Sequence, residues 1–111
     1  MTIGFSTGCL YGFEMSMEDR IKFIAQSGAD AIELGFAYRN ELVGFRLNPA
    51  IKKLCMNFSF VTIHAPWLDI KYQGSAADAV IIRLKQLVRD LNADAVVVHP
   101  DVASAKYLVS T

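Results

Sequence analysis

The 111-residue sequence predicts an α/β fold built from parallel strand–helix units. Three observations carry that expectation. Short apolar runs such as Ala31–Gly35 and Phe60–His64 alternate with segments whose apolar residues recur at helical spacing. One pattern occurs twice: Gly28-Ala29-Asp30-Ala31-Ile32-Glu33-Leu34 and Asn92-Ala93-Asp94-Ala95-Val96-Val97-Val98 each read as a helix end, then Ala-Asp-Ala, then a buried strand. Residues 28 and 92 are 64 apart, which is two units of about 32 residues, the unit size of a closed eight-unit barrel. Finally, large apolar residues and small or polar ones alternate along all four expected strands in the same sense.

The elements follow in order. A first strand over Thr2–Ser6 leads into a turn, residues 7–12, that Gly8 and Gly12 allow to be sharp. A helix over Met17–Ser27 has Ser16 as N-cap, with Asp19 at the capping-box spacing and Glu18 also suited to the helix start. Its apolar stripe is Met17, Ile21, Ile24 and Ala25, and Gly28 ends it. The second strand is Ala31–Gly35. A ten-residue loop, Phe36 to Phe45, carries Tyr38, Arg39, Asn40 and Glu41, with Arg46 at its edge; polar loops of this length are often functional. Asn48 and Pro49 read as N-cap and first residue of a short helix that buries Ile51, Leu54, Cys55 and Phe58. The third strand is Phe60–His64, followed by a loop to Ser75 with Pro66, Trp67, Asp69, Lys71 and Tyr72. A long helix over Ala76–Leu91 turns Val80, Leu84, Leu87, Val88 and Leu91 to one face, and the fourth strand is Ala95–His99. The segment Asp101–Thr111 reads as the start of a further helix. Repeated units of this kind imply parallel strands joined by right-handed crossovers.

Composition points to one globular domain over residues 1–111. Hydrophobic residues make up 53%, and eleven basic residues balance eleven acidic ones. A chain of zero net charge has no long-range electrostatic pull toward nucleic acid or an anionic membrane. Cys9 and Cys55 lack CxxC spacing, which predicts reduced thiols in a cytoplasmic protein. The opening MTIGFSTGCL has no basic leader, and no apolar run approaches the roughly 20 residues of a membrane-spanning helix.

The alternation of side chains locates the chemistry. If His64 and His99 point to one face, Gly4, Ser6, Ala31, Glu33, Thr62, Ala95 and Val97 share it. The opposite set, Ile3, Phe5, Ile32, Leu34, Val61, Ile63, Val96 and Val98, is uniformly large and apolar, as helix-facing positions should be. Glu33, His64 and His99 then stand at the carboxyl ends of neighbouring strands, where parallel sheets build their sites. The two histidines are the only ones in the chain, and proline follows each within two residues. They read either as neutral imidazole ligands of one metal ion or as rings satisfied by backbone carbonyls. Glu33 reads as a carboxylate that binds a sugar hydroxyl or orients a histidine, or else as a salt-bridged or a solvated rim residue. Asp101 reads first as a helix cap and second as support for the His99 site, Trp67 and Tyr72 first as cover for the strand ends and second as walls of a sugar pocket, and Cys9 as an inert thiol.

Ile63-His64-Ala65-Pro66-Trp67 followed by Val96-Val97-Val98-His99-Pro100-Asp101 resembles the endonuclease IV and xylose isomerase-like superfamily of TIM barrels. The opening Ile3-Gly4-Phe5-Ser6-Thr7-Gly8 and the segment Gly28–Leu34 look like the first two strands of the same families. The resemblance covers essentially the whole chain but only strands one to four of eight. It therefore implies the N-terminal half of a TIM (β/α)8 barrel. In endonuclease IV-like members the histidines ending strands three and four bind metal, which implies His64 and His99 as ligands of a divalent ion, zinc first, with manganese and magnesium as alternatives. In the sugar-phosphate isomerases and epimerases the ion is held mainly by later strands, and the equivalent histidines contact substrate or act in acid–base steps.

Three functions are therefore expected in order. The first is metal-dependent isomerisation or epimerisation of a small sugar or sugar phosphate, with Glu33 as the candidate catalytic carboxylate. The second is endonuclease IV-like cleavage of phosphodiesters at abasic DNA, disfavoured by the balanced charge. The third is a non-catalytic half-barrel fragment. Four parallel strands with free edges also predict self-association through those edges.

Overall fold

The computed structural model describes residues 2–103 of the chain. Four strands, β1 (Gly4–Ser6), β2 (Ala31–Gly35), β3 (Phe60–His64) and β4 (Ala95–Val97), form one sheet in the order β1-β2-β3-β4, every neighbour parallel. Helices alternate with them: α1 (Met17–Gln26) after β1, α2 (Arg39–Gly44) and α3 (Pro49–Met56) after β2, and α4 (Asp78–Leu91) after β3. The α/β class with parallel strand–helix units is thus present. The helix expected over Asp101–Thr111 falls mostly on residues 104–111, outside the described residues.

Local chemistry explains the boundaries. Ser16 Oγ accepts the Asp19 N–H at 3.1 Å, satisfying a helix-start donor that would otherwise be free. Asn48 does the same for Ile51 at 2.9 Å, with Pro49 in the first turn. α1 and α4 give way to the following strands through left-handed residues, Gly28 at φ 82° and Asn92 at φ 50°. The repeated Asp of the sequence then clamps the start of the preceding strand in the sheet. Asp30 donates its N–H to Ile3 O at 2.8 Å and accepts the Ile3 N–H on its carboxylate at 3.2 Å. Asp94 repeats both bonds on Val61, each at 2.8 Å.

The core lies between the sheet and its helices. Ile32, Leu34, Val61 and Ile63 from the sheet meet Ile21, Ile24, Ile51, Cys55, Leu84 and Leu87, and all are buried. Each large aliphatic side chain so covered contributes about 1.5–3 kcal/mol. The expected face division therefore holds in β2 and β3. At the sheet margins the apolar set is not covered: Ile3, Phe5 and Val96 are exposed, because among the described residues no helix flanks β1 or β4 on their outer sides. The opposite face of the sheet is open, with Phe60 and Val97 exposed and Ser6, Glu33 and Thr62 half-buried.

Several boundaries differ from expectation: β1 begins at Gly4, two residues after the expected Thr2, and α1 ends at Gln26, one residue before the expected Ser27. β4 stops at Val97, so His99 follows the strand instead of ending it. α4 begins at Asp78 after a single tight turn over Ser75–Ala77. The loop Phe36 to Phe45 contains the short helix α2, whose first N–H groups are held by side chains. Glu41 accepts from Ala37 and Tyr38, and Asp69 accepts from Arg39.

Candidate functional site

The register of the sheet sets the site. Ser6 pairs with Glu33, Glu33 with Thr62, and Thr62 with Ala95; one step on, Gly35, His64 and Val97 align. Paired residues of a parallel sheet share a face, so Glu33 and His64 project to the same open side. His99 joins them from the segment after β4. The His64 and His99 ring centres are 4.9 Å apart and meet edge to face. Trp67, from the loop after β3, lies flat on His99 at 4.5 Å with 3° between the planes. A cavity of about 210 Å³ at the carboxyl ends of the strands is lined by Ser6, Tyr11, Glu33, His64, Trp67 and His99, among others. The three site residues expected from the sequence therefore share one cavity.

A hydrogen bond orients the His64 imidazole, and a carboxylate faces that of His99. His64 Nδ1 lies 3.0 Å from Ala65 O. A carbonyl oxygen only accepts, so Nδ1 carries the hydrogen and Nε2 keeps its lone pair. His99 Nδ1 faces the Asp101 carboxylate at 3.5 Å, which favours the same tautomer. Asp101 thus orients an imidazole; a capping role would involve residues outside those described. Because an imidazole lone pair lies in the ring plane, the indole stacked on the flat face of His99 leaves Nε2 accessible.

This donor set meets part of the requirement for a metal ion. Two imidazoles sharing an ion place their ring centres about 3.2 Å from it, hence about 4.5–5.2 Å apart for right-angled to tetrahedral coordination. The observed 4.9 Å lies in that range. Among the described residues no third His, Cys, Asp or Glu completes a cluster with them. A carboxylate–imidazole contact like that of Asp101 with His99 is a common support for a ligating ring.

Glu33 is half-buried and forms no hydrogen bond or ion pair with any described residue, which leaves both the substrate-binding carboxylate and the solvated rim residue as readings and removes the salt bridge among the described residues. The walls are otherwise fixed by structural contacts. Thr7, fully buried, accepts the Gly35 N–H on Oγ1 at 2.8 Å and ties the turn after β1 to the tip of β2. Tyr72 is buried, and its hydroxyl donates to Pro66 O at 2.7 Å, which holds the His64–Trp67 segment from below. Cys9 is exposed and Cys55 buried, and both are free thiols.

Sequence reasoning put Ser6 on the site face without giving it a role, and missed Tyr11 as a cavity wall. Tyr11 donates to Glu41 at 2.9 Å, and the Arg20 guanidinium sits 4.5 Å over its ring. Partial burial raises the Tyr11 pKa, and the Glu41 carboxylate adds to the rise through its hydrogen bond and its charge; Arg20 opposes it. Glu41, expected in a functional loop, instead staples α2 to the turn after β1. The only signal for Tyr11 was its place in the turn leaving β1, on the same side as the strand ends.

Compared with protein-family models, with curated proteins and with solved structures, the chain gives no match. Among the described residues, no helix is long and apolar enough to cross a membrane.

Proposed function

We propose that the sheet is one half of a (β/α)8 barrel that isomerises or epimerises a small sugar or sugar phosphate with the help of a divalent ion. The observation that carries this reading is the meeting of His64 and His99 over one cavity, with Glu33, which has no partner among the described residues, in its wall. His64 and His99 would hold the ion, zinc or else manganese or magnesium, through Nε2. Such an ion polarises a substrate carbonyl or hydroxyl and stabilises the negative charge that develops when a proton leaves carbon. Glu33 would take that proton and return it, because a carboxylate with no competing donor among the described residues can accept. Trp67 and Tyr11 would bound the sugar on either side, the indole against its C–H face. The open sheet face and the strand motifs support the barrel half. The unpaired Cys9 and Cys55 support a reducing compartment, the cytosol.

Two measurements test the reading. Titration of the chain with Co²⁺, a spectroscopic substitute for zinc, is expected to show binding that His64→Ala or His99→Ala each weakens at least tenfold, about 1.4 kcal/mol. Interconversion of aldose and ketose phosphates with the metal present is expected to be lost in Glu33→Gln. Unchanged Co²⁺ affinity in both histidine variants removes the ion site. Cleavage of abasic DNA in place of sugar interconversion transfers the reading to an endonuclease IV-like phosphodiesterase.

A further inference from the structure

Two arginines meet at one backbone oxygen away from the strand ends. Arg46, between α2 and α3, donates from Nη1 to Val43 O at 2.7 Å and to Phe45 O at 3.2 Å. Arg83, on α4, donates from Nη2 to the same Phe45 O at 2.7 Å. Two guanidinium groups are thus drawn together over a single neutral acceptor, where their charges repel. Neither forms an ion pair with a carboxylate among the described residues. Arg83 Nη1 reaches only Gln86 Oε1, at 3.4 Å, and Arg83 Nε is buried with no acceptor among the described residues. Buried donors without acceptors are few in native folds, and one beside two unneutralised charges calls for an acceptor from outside these elements.

The pair borders a groove of about 600 Å³, within the size range of small-molecule sites. Both of its walls belong to described elements. Val43 and Leu47 form one side, and Ala79, Ile82, Gln86 and Asp90 of α4 form the other. α4 turns a different set, Ile81, Leu84, Lys85 and Val88, toward β4, so the groove does not involve that flank. It also shares no residue with the cavity of His64 and His99.

We propose that this groove binds a small phosphate monoester with an apolar body, its phosphate held between Arg46 and Arg83. The guanidinium fork matches phosphate oxygens, and a monoester has three terminal oxygens to share between two forks, where a carboxylate has two. Arg46 Nε and Nη2, which have no partner among the described residues, and Arg83 Nη1 are the donors left for it. Beside them Val43 and Ile82, 39% and 57% exposed, offer an apolar floor that a bare ion cannot use. Asp90 sets the far end. It stands seven positions after Arg83 on α4, about 10 Å along the helix. A second anionic group there would be repelled, and a hydroxyl or amine would find an acceptor. The ligand is therefore charged negatively at one end only.

Phenyl phosphate titrated into the ¹⁵N-labelled chain, followed by the arginine Nε–H resonances, tests the site. The Arg46 and Arg83 signals are expected to shift together and saturate, while those of Arg39 and Arg89, both exposed, stay in place. Arg46→Gln is expected to weaken binding at least tenfold. Arg46 is exposed and bonds only to carbonyls of its own segment, so the amide spectrum should otherwise be retained. Ile82→Ser is expected to weaken phenyl phosphate at least threefold and to leave inorganic phosphate unchanged. His64→Ala is expected to bind phenyl phosphate as wild type does, whether or not it binds Co²⁺. Unmoved Arg46 and Arg83 signals overturn the proposal, as do equal shifts at all four arginines or binding lost in His64→Ala. Benzoate binding as tightly as phenyl phosphate overturns the choice of phosphate, and inorganic phosphate binding as tightly overturns the apolar body.

Discussion

Removing the Asp94 carboxylate should cost far more than removing that of Asp30, although the two residues occupy the same place in the repeated pattern. Asp94 accepts the Val61 N–H at 2.8 Å, and Val61 is only 4% exposed. In Asp94→Ala that N–H loses a charged acceptor, and water reaches it poorly. Bonds to charged groups contribute about 1.5–3 kcal/mol, so a loss of about 2 kcal/mol is expected. Asp30 accepts at a longer 3.2 Å from Ile3, which is 53% exposed. Water replaces the acceptor there, and Asp30→Ala should cost about 0.5 kcal/mol. The backbone halves of both clamps survive in either variant. For a domain of this size about 1 kcal/mol corresponds to about 4 °C in Tm, so the expected shifts are about 8 °C and 2 °C. Urea unfolding followed by circular dichroism should show the same order in midpoint with an unchanged slope. Asp94→Asn, which keeps an acceptor oxygen, should recover about half of the loss. Equal costs at the two positions, or a cost at Asp94 below about 0.5 kcal/mol, would refute the argument that burial of the donor decides the effect.

Two further outcomes follow from the packing. Burial pushes the Cys55 thiol up to about 11 from an ordinary 9.0. Below pH 9 the thiol is protonated in both folded and unfolded chains. As pH rises from 9 toward 11 the unfolded chain loses its proton first, so stability falls, by up to about 2–3 kcal/mol. The urea midpoint of wild type should drop more than that of Cys55→Val between pH 8 and 10.5, and parallel curves would contradict this. At Gly4 an added Cβ would stand 2.8 Å from Ala31 Cβ and 3.0 Å from Ala31 O. Gly4→Ala must therefore push β1 from β2, at a cost of about 1–3 kcal/mol, and an unchanged Tm would show that the edge strand shifts freely.

Much of this was legible in the residues. β2 and β3 have the bounds expected from their apolar runs, since each is covered by helices and its composition records that burial. The Ser16 and Asn48 caps were readable because capping is local. The helix α2 was not, because its six residues bury only Leu42 and its first turn depends on Asp69, which lies 30 positions beyond Arg39. Periodicity showed the direction of Phe5 and Val96 but not whether anything covers them. For the site, alternation brought Glu33 and His64 to one face. The stacking of Trp67, the turn of Asp101 toward His99 and the wall formed by Tyr11 arise in irregular segments, where no period exists to read.

The stack of Trp67 on His99 also gives the protein an optical reporter. Trp67 is the only tryptophan in the chain, so all indole emission originates at 4.5 Å from that imidazole. A positively charged imidazole in contact with indole drains its excited state. Any event that changes the charge or tilt of the ring therefore alters the brightness of the whole protein, without a label and with no background from elsewhere in the fold.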